Sequence, residues 1–170
     1  MSFNNKIENR FKEEKLMYGL TSRHFLSQLS FSEFEEFCSY YLTKNNYANI
    51  NFVSESFHGG LTLICSDSNF NKIYVSCIQS DSKENNNNDD YNSIGRPELQ
   101  KFIGCMLHDE ILNGIVMSNG YFTKEAMDYV NSLPKEYNIQ LMDGISLSKS
   151  CWDIRKKNII DLSLIDVISQ

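Results

Sequence analysis

No two of the five cysteines, Cys38, Cys65, Cys77, Cys105 and Cys151, form a CxxC pair, so the ligand spacing of a structural zinc site is missing. The odd count and the lack of a signal peptide point to a reducing interior, nuclear or cytoplasmic rather than secreted. Cys38, Cys65, Cys77 and Cys105 lie in apolar-patterned stretches, where free thiols serve as buried packing. No apolar run is long enough to cross a bilayer, which sets membranes aside. The N-terminus mixes Lys6, Arg10, Lys12 and Lys15 with Glu8, Glu13 and Glu14, whereas transit peptides are poor in acids. An excess of cations is also lacking: the net charge is -6, against a strong non-specific grip on nucleic acid. His24, His58 and His108 stand apart from one another and from any paired cysteine, so no Ser-His-Asp or Cys-His constellation can be drawn.

What is present is enough for one globular domain: 170 residues, 41% hydrophobic and 12% aromatic. Lys6 to Tyr18 is helix-like, with Ile7, Phe11 and Tyr18 near one face and Gly19 as a stop. Leu20 to Leu29 reads as a short helix or an irregular arm. Ser32-Glu33-Phe34-Glu35 has capping-box spacing and opens an amphipathic helix with Phe34, Phe37, Cys38, Tyr41 and Leu42 on its inner face. Three strands follow, Tyr47 to Ser54, Leu61 to Cys65 and Ile73 to Ile78, with Gly59-Gly60 leading into the second. Ser80 to Ser93 is a low-complexity asparagine-rich loop. Proline is scarce, and its two copies punctuate helices. Pro97 opens one carrying Leu99, Phe102, Ile103, Met106 and Leu107, and Pro134 ends another, capped by Thr123, with Ala126, Met127 and Val130 inward. Gly114 to Met117 reads as a short buried strand, Ile139 to Met142 as another short apolar strand, and Leu147 to Lys156 as a last helix. The order is αβββαβαβ, which implies an α/β fold: a mixed sheet with helices on both faces. The domains read as an N-terminal helical extension at 1–30, a core at 31–147 with a loop at 80–95, and an apolar extension at 148–170.

This order and seven local phrases resemble the Mrr-type branch of the restriction-endonuclease-like superfamily. The phrases are Phe34-Glu35-Glu36-Phe37, Asn46-Tyr47-Ala48-Asn49-Ile50, Gly59-Gly60-Leu61, Leu99-Gln100-Lys101-Phe102-Ile103-Gly104, Gly114-Ile115-Val116, Phe122-Thr123-Lys124-Glu125-Ala126 and Ile139-Gln140-Leu141-Met142-Asp143-Gly144. The resemblance implies that fold over about Ser32 to Leu147, and a divalent metal held by an Asp after the Gly-Gly step and by a following Gln-x-Lys or Glu-x-Lys. Those positions are Thr62, Ser76 and Ile78 here. Phosphodiester hydrolysis needs carboxylates on the metal and a cation beside the nucleophile, and none of the three residues supplies either. Gln100 matches a residue lining the family's cleft and is expected as a retained polar core group. Substitutes would have to come from Glu35, Glu36, Glu55, Asp67 and Glu98, with Lys101 as the cation.

Three functions follow as expectations. The first is a catalytically inactive nuclease-like domain that acts as an interaction or scaffolding subunit of a larger, DNA-associated assembly. It has no cofactor and is not an enzyme. The second is a DNA-binding pseudo-nuclease, with a basic edge from Lys6, Arg10, Lys12, Lys15, Arg23 and Arg155-Lys156-Lys157. The third is a metal-dependent DNA endonuclease with relocated ligands, the one reading that calls for magnesium. The tail beyond Leu147 is aliphatic, and Ile160, Leu162, Leu164 and Ile165 are candidates for contact with another protein or a second copy.

Overall fold

The computed structural model describes residues 23–55, 61–80, 93–154 and 156. The helix-like reading of Lys6 to Tyr18, the asparagine-rich loop, His58 and the aliphatic tail lie outside the described residues.

Helix α1 (Arg23–Gln28) resolves the choice at Leu20 to Leu29 in favour of a short helix, and α2 (Phe31–Lys44) follows. The cap of α2 is Ser30 rather than Ser32. The Glu33 N–H donates to Ser30 Oγ at 3.3 Å, and Glu33 Oε2 accepts from Ser30 N and Oγ at 2.8 and 2.7 Å. Two Ser-x-x-Glu frames overlap here, and the earlier one places Leu29 before the cap and Phe34 at the fourth helical position. Both are buried in one core, the arrangement of a hydrophobic staple, whereas the later frame would pair Phe31 with Glu36. From Ser30 onward the inner face is as its spacing implies: Phe34, Phe37, Cys38, Tyr41 and Leu42 are buried.

Strands β1 (Ala48–Glu55), β2 (Leu61–Ser66) and β3 (Lys72–Ile78) form an antiparallel meander. The β2–β3 turn is fixed by Asp67, whose Oδ1 accepts the Asn69 and Asn71 N–H groups at 2.8 and 2.9 Å while Oδ2 accepts Asn71 Nδ2 at 2.9 Å. Two-residue β4 (Ser93–Ile94) leads into α3 (Arg96–His108). Then come β5 (Asn113–Ser118), two-residue β6 (Tyr121–Phe122), α4 (Lys124–Asn131), β7 (Asn138–Met142) and helix α5 at 144–154. The main sheet has the order β1-β2-β3-β5-β7; β5 and β7 run parallel to β3. The mixed sheet flanked by helices is the architecture expected from the element order.

Period-two alternation divides the buried residues between the two faces. On one face Leu63, Val75, Cys77, Ile115 and Met117 pack against α1, α2 and α5. On the other Tyr74, Val116 and the α3 residues Leu99, Phe102, Ile103 and Met106 form a second cluster with Ala126 of α4. Helix α3 lies almost on the strand at Gly114: a Cβ there would meet Met106 Sδ at 2.7 Å and the Phe102 ring at 2.8 Å.

Several expectations shift. Leu107 and Met127 are exposed, at 56% and 44%, because each falls on the outer flank of its helix. Cys105 is exposed for the same reason, while the other four cysteines are buried. Phe122, in the phrase that leads into the helix capped by Thr123, belongs to β6, paired in parallel with β4; a two-residue ladder is too short to show a period. The last helix begins at 144, with Asp143 Oδ1 accepting the Ser146 N–H at 2.7 Å. Its Cys151 and Ile154 are buried in the same core as Leu26 and Leu29, so segments read as extensions on either side of 31–147 meet there.

Candidate functional site at the β2–β3–β5 centre

Thr62 and Ser76 are direct register partners across β2 and β3, so residues fourteen apart in sequence become neighbours in the sheet. Ser76 pairs in turn with Val116 and Ile78 with Ser118 of β5. By strand alternation Ser76 and Ile78 share the face covered by α3. Ser76 is half-buried, and Ile78 packs against the cluster of Leu99, Phe102 and Ile103. An aliphatic side chain packed into that cluster offers no cation to solvent or substrate.

The parallel strands end in a small buried polar knot. Asn119, just beyond β5, accepts from Ser80 N at 2.8 Å and from Ser80 Oγ at 3.0 Å through Oδ1, and its Nδ2 points back to the Ser80 carbonyl at 3.5 Å. Ser118 Oγ accepts the Gly120 N–H at 3.1 Å, and the Gly120 carbonyl accepts the Gly144 N–H at 2.9 Å. Gln79 Nε2 donates to the Leu29 carbonyl. Ser118 and Asn119 are buried, and among the described residues no buried side-chain polar atom is left without a partner. The carboxyl ends of parallel strands are where open α/β sheets take ligands; here that end is closed by side chains bonding one another. Sequence reading placed Ser80 at the start of the polar loop, whereas it is buried here, and passed over Ser118 and Asn119. The available signal is three small or polar residues, Ser118-Asn119-Gly120, directly after a buried GIVM strand.

Among the described residues the substitutes do not converge. Glu35 and Glu36 line an open groove along α2. Asp67 is held in its turn, and the Asn71 side chain leads the hydrogen bonds that lower its pKa. Lys101 and Gln100 are exposed on α3, so Gln100 is not the polar core group expected. A glutamine one residue from Leu99 and three from Ile103 falls on the edge of the buried stripe, where solvent reaches it. His108 is an exposed neighbour of Asp109, 2.8 Å away. Among the described residues no three His, Cys, Asp or Glu side chains come together as metal ligands. Thr62, Ser76 and Ile78 therefore do not fit a hard divalent cation, which takes charged oxygen donors. The buried thiols offer no nucleophile either. Desolvation raises Cys38 well above its usual value, with the hydrogen bond to Cys77 adding to it, and pushes Cys65 to about 11 and Cys151 to about 12. They stay protonated at neutral pH.

A five-stranded mixed sheet with helices on both faces defines a restriction-endonuclease-like α/β domain. The family model for the Mrr catalytic domain, described as a restriction endonuclease, matches residues 26–151. The chain belongs to that family. Among curated proteins no match is found. Among the described residues no helix is long and apolar enough to cross a membrane.

Proposed function

We propose that this chain is a nuclease-like domain without nuclease chemistry, used as a protein-interaction subunit of a larger assembly. The observation that carries the reading is the content of the site: Thr62 opposite Ser76, and Ile78 packed into the apolar cluster beneath α3. A metal-assisted hydrolase activates water and neutralises the scissile phosphate with charge at these positions. Neutral hydroxyls and an aliphatic side chain do neither, and Asp67 is engaged in the β2–β3 turn. What the domain retains is a stable scaffold that can present surface. The candidate contact is the aliphatic tail, with Ile160, Leu162, Leu164 and Ile165.

The test has two arms. Purified protein is incubated with plasmid and oligonucleotide duplexes in magnesium or manganese; no cleavage is expected. Robust cleavage abolished by Glu55→Ala or Glu98→Ala would establish a rebuilt site and overturn the reading. In the second arm Leu162→Asp with Leu164→Asp should release a co-purifying partner, or convert a dimer to monomer, while the domain stays folded. Unfolding of that variant, with no partner or oligomer ever seen for the wild type, would assign the tail to the core instead.

A further inference from the structure

Helix α5 buries one side and presents another. Leu147, Cys151 and Ile154 lie in the core with Leu26 and Leu29, and the Ser150 and Tyr41 hydroxyls hydrogen-bond at 2.8 Å, which ties the helix to α2. On the outer side Ile145, Lys149, Trp152 and Lys156 recur at steps of four, three and four; Lys156, just past 154, is still helical. At 3.6 residues per turn the four fall within about 60° of one another around the axis. Ile145 is 61% exposed and Trp152 45%, both lysines are exposed, and Lys156 Nζ stands 5.5 Å from the centre of the Trp152 ring. The result is a straight stripe, alternately apolar and basic, on a chain whose net charge is -6.

We infer that this stripe docks an acidic amphipathic helix of a partner protein, whose apolar side chains meet Ile145 and Trp152 and whose carboxylates meet Lys149 and Lys156. The spacing chooses a helix. Ile145 and Trp152 are seven residues apart in sequence, about 10.5 Å along the axis, which is the repeat of a helix–helix seam. The lysines take flanking positions, where charge selects the partner. Their sign chooses the acid, because opposite charges across a contact favour one partner and repel others. Extended polyanions fit less well. A nucleic acid or an anionic bilayer meets the acidic chain around the stripe as well, over a Debye length of about 8–10 Å. Asp153 is exposed on the stripe's flank, and branched Ile145 offers no face on which a base could stack. A single partner helix meets the stripe alone. Because α5 is already packed into the core, docking does not have to order it, which lowers the entropic cost of binding. The inference rests on the reading of the chain as an interaction subunit and adds a surface apart from the tail.

Trp152 is the chain's single tryptophan, so its emission reports on the stripe in the full chain. The probe is a synthetic three-heptad peptide without tryptophan, with leucine at positions a and d and glutamate at e and g, whose own pairing the glutamates oppose. The control peptide has lysine in place of every glutamate. The glutamate peptide should shift Trp152 emission saturably to the blue and bind about tenfold tighter than the control, as charge selection requires. Lys149→Glu with Lys156→Glu should reverse that order, and Ile145→Ser should weaken the glutamate peptide several-fold, circular dichroism confirming a folded chain throughout. No shift at millimolar peptide, equal affinity for the two peptides, or an order unchanged by charge reversal would each overturn the inference. So would a shift caused by a single-stranded oligonucleotide or phosphatidylserine vesicles and by neither peptide. The two readings fail separately: metal-dependent cleavage by the wild type would sink the inactive-nuclease reading alone, and loss of peptide selectivity, with Leu162→Asp and Leu164→Asp still releasing a partner, would sink the α5 surface alone.

Discussion

Removing the acceptor at Asn119 tests whether the polar knot at the strand ends is a structural lock. Asn119 Oδ1 takes both the Ser80 N–H and the Ser80 hydroxyl, at 2.8 and 3.0 Å, in a buried setting. In Asn119→Ala the hydroxyl can rotate toward another acceptor, but the backbone N–H, two residues past the end of β3, cannot. A buried donor stripped of its partner costs about 1–3 kcal/mol, and the lost amide volume adds a smaller packing loss. About 2 kcal/mol is therefore expected, a fall in Tm of roughly 4–8 °C for a domain of this size. Ser80→Ala removes only the hydroxyl bond and should cost under about 1 kcal/mol. Since both bonds end on one oxygen, the double variant should match Asn119→Ala to within a few tenths of a kcal/mol, roughly the limit of additivity. Urea titrations of the four proteins give the cycle. An Asn119→Ala variant within about 0.5 kcal/mol of the wild type, the range of an ordinary surface change, would refute the lock.

Other outcomes follow from single contacts. Gly114→Ala forces a methyl against Met106 and Phe102 and should destabilise by about 1–3 kcal/mol, with Met106→Ala recovering part of the loss in the pair; chemical denaturation reads both. Ser30→Ala should cost about 1 kcal/mol as the loss of a cap, while Ser32→Ala should cost less than half of that, the reverse of what the later Ser-x-x-Glu frame would give. In a thiol titration with Ellman's reagent Cys105 should react at once and Cys38, Cys65, Cys77 and Cys151 only on unfolding; a second fast thiol in the native protein would show that the core is open. Hydrogen bonds led by Asn71 hold the Asp67 pKa below its usual 3.8. Its contribution to stability is complete above that value and is lost as the pH falls through the lowered one. The Asp67→Asn variant should thus be less stable than the wild type at neutral pH and converge with it in strong acid.

The sequence by itself determined the elements and their order. Alternation placed three strands before the first proline, helical spacing marked the inner faces of α2 and α3, and the mixed sheet followed from a meander leading into strand–helix units. Such patterns are legible because the side-chain period of a strand or helix is a local property. It also determined the chemical type of Thr62, Ser76 and Ile78, since chemical type needs no geometry. The tertiary structure decided what depended on partners distant along the chain. Leu29 meeting Phe34 in the core selected Ser30 over Ser32 as the cap, although both frames have the right spacing. Solvent at the edge of the α3 stripe left Gln100, Cys105 and Leu107 outside, although each has a buried residue directly beside it in the chain. Asn119 acquired its role only when parallel pairing of β3 and β5 brought it to Ser80, thirty-nine residues away. Cys151 and Ile154 joined the core of Leu26 and Leu29 because α1 and α5 lie on one face of the sheet. A buried polar group is defined by the partner that satisfies it, and a core by the surfaces that close on it; neither is contained in the period of one segment.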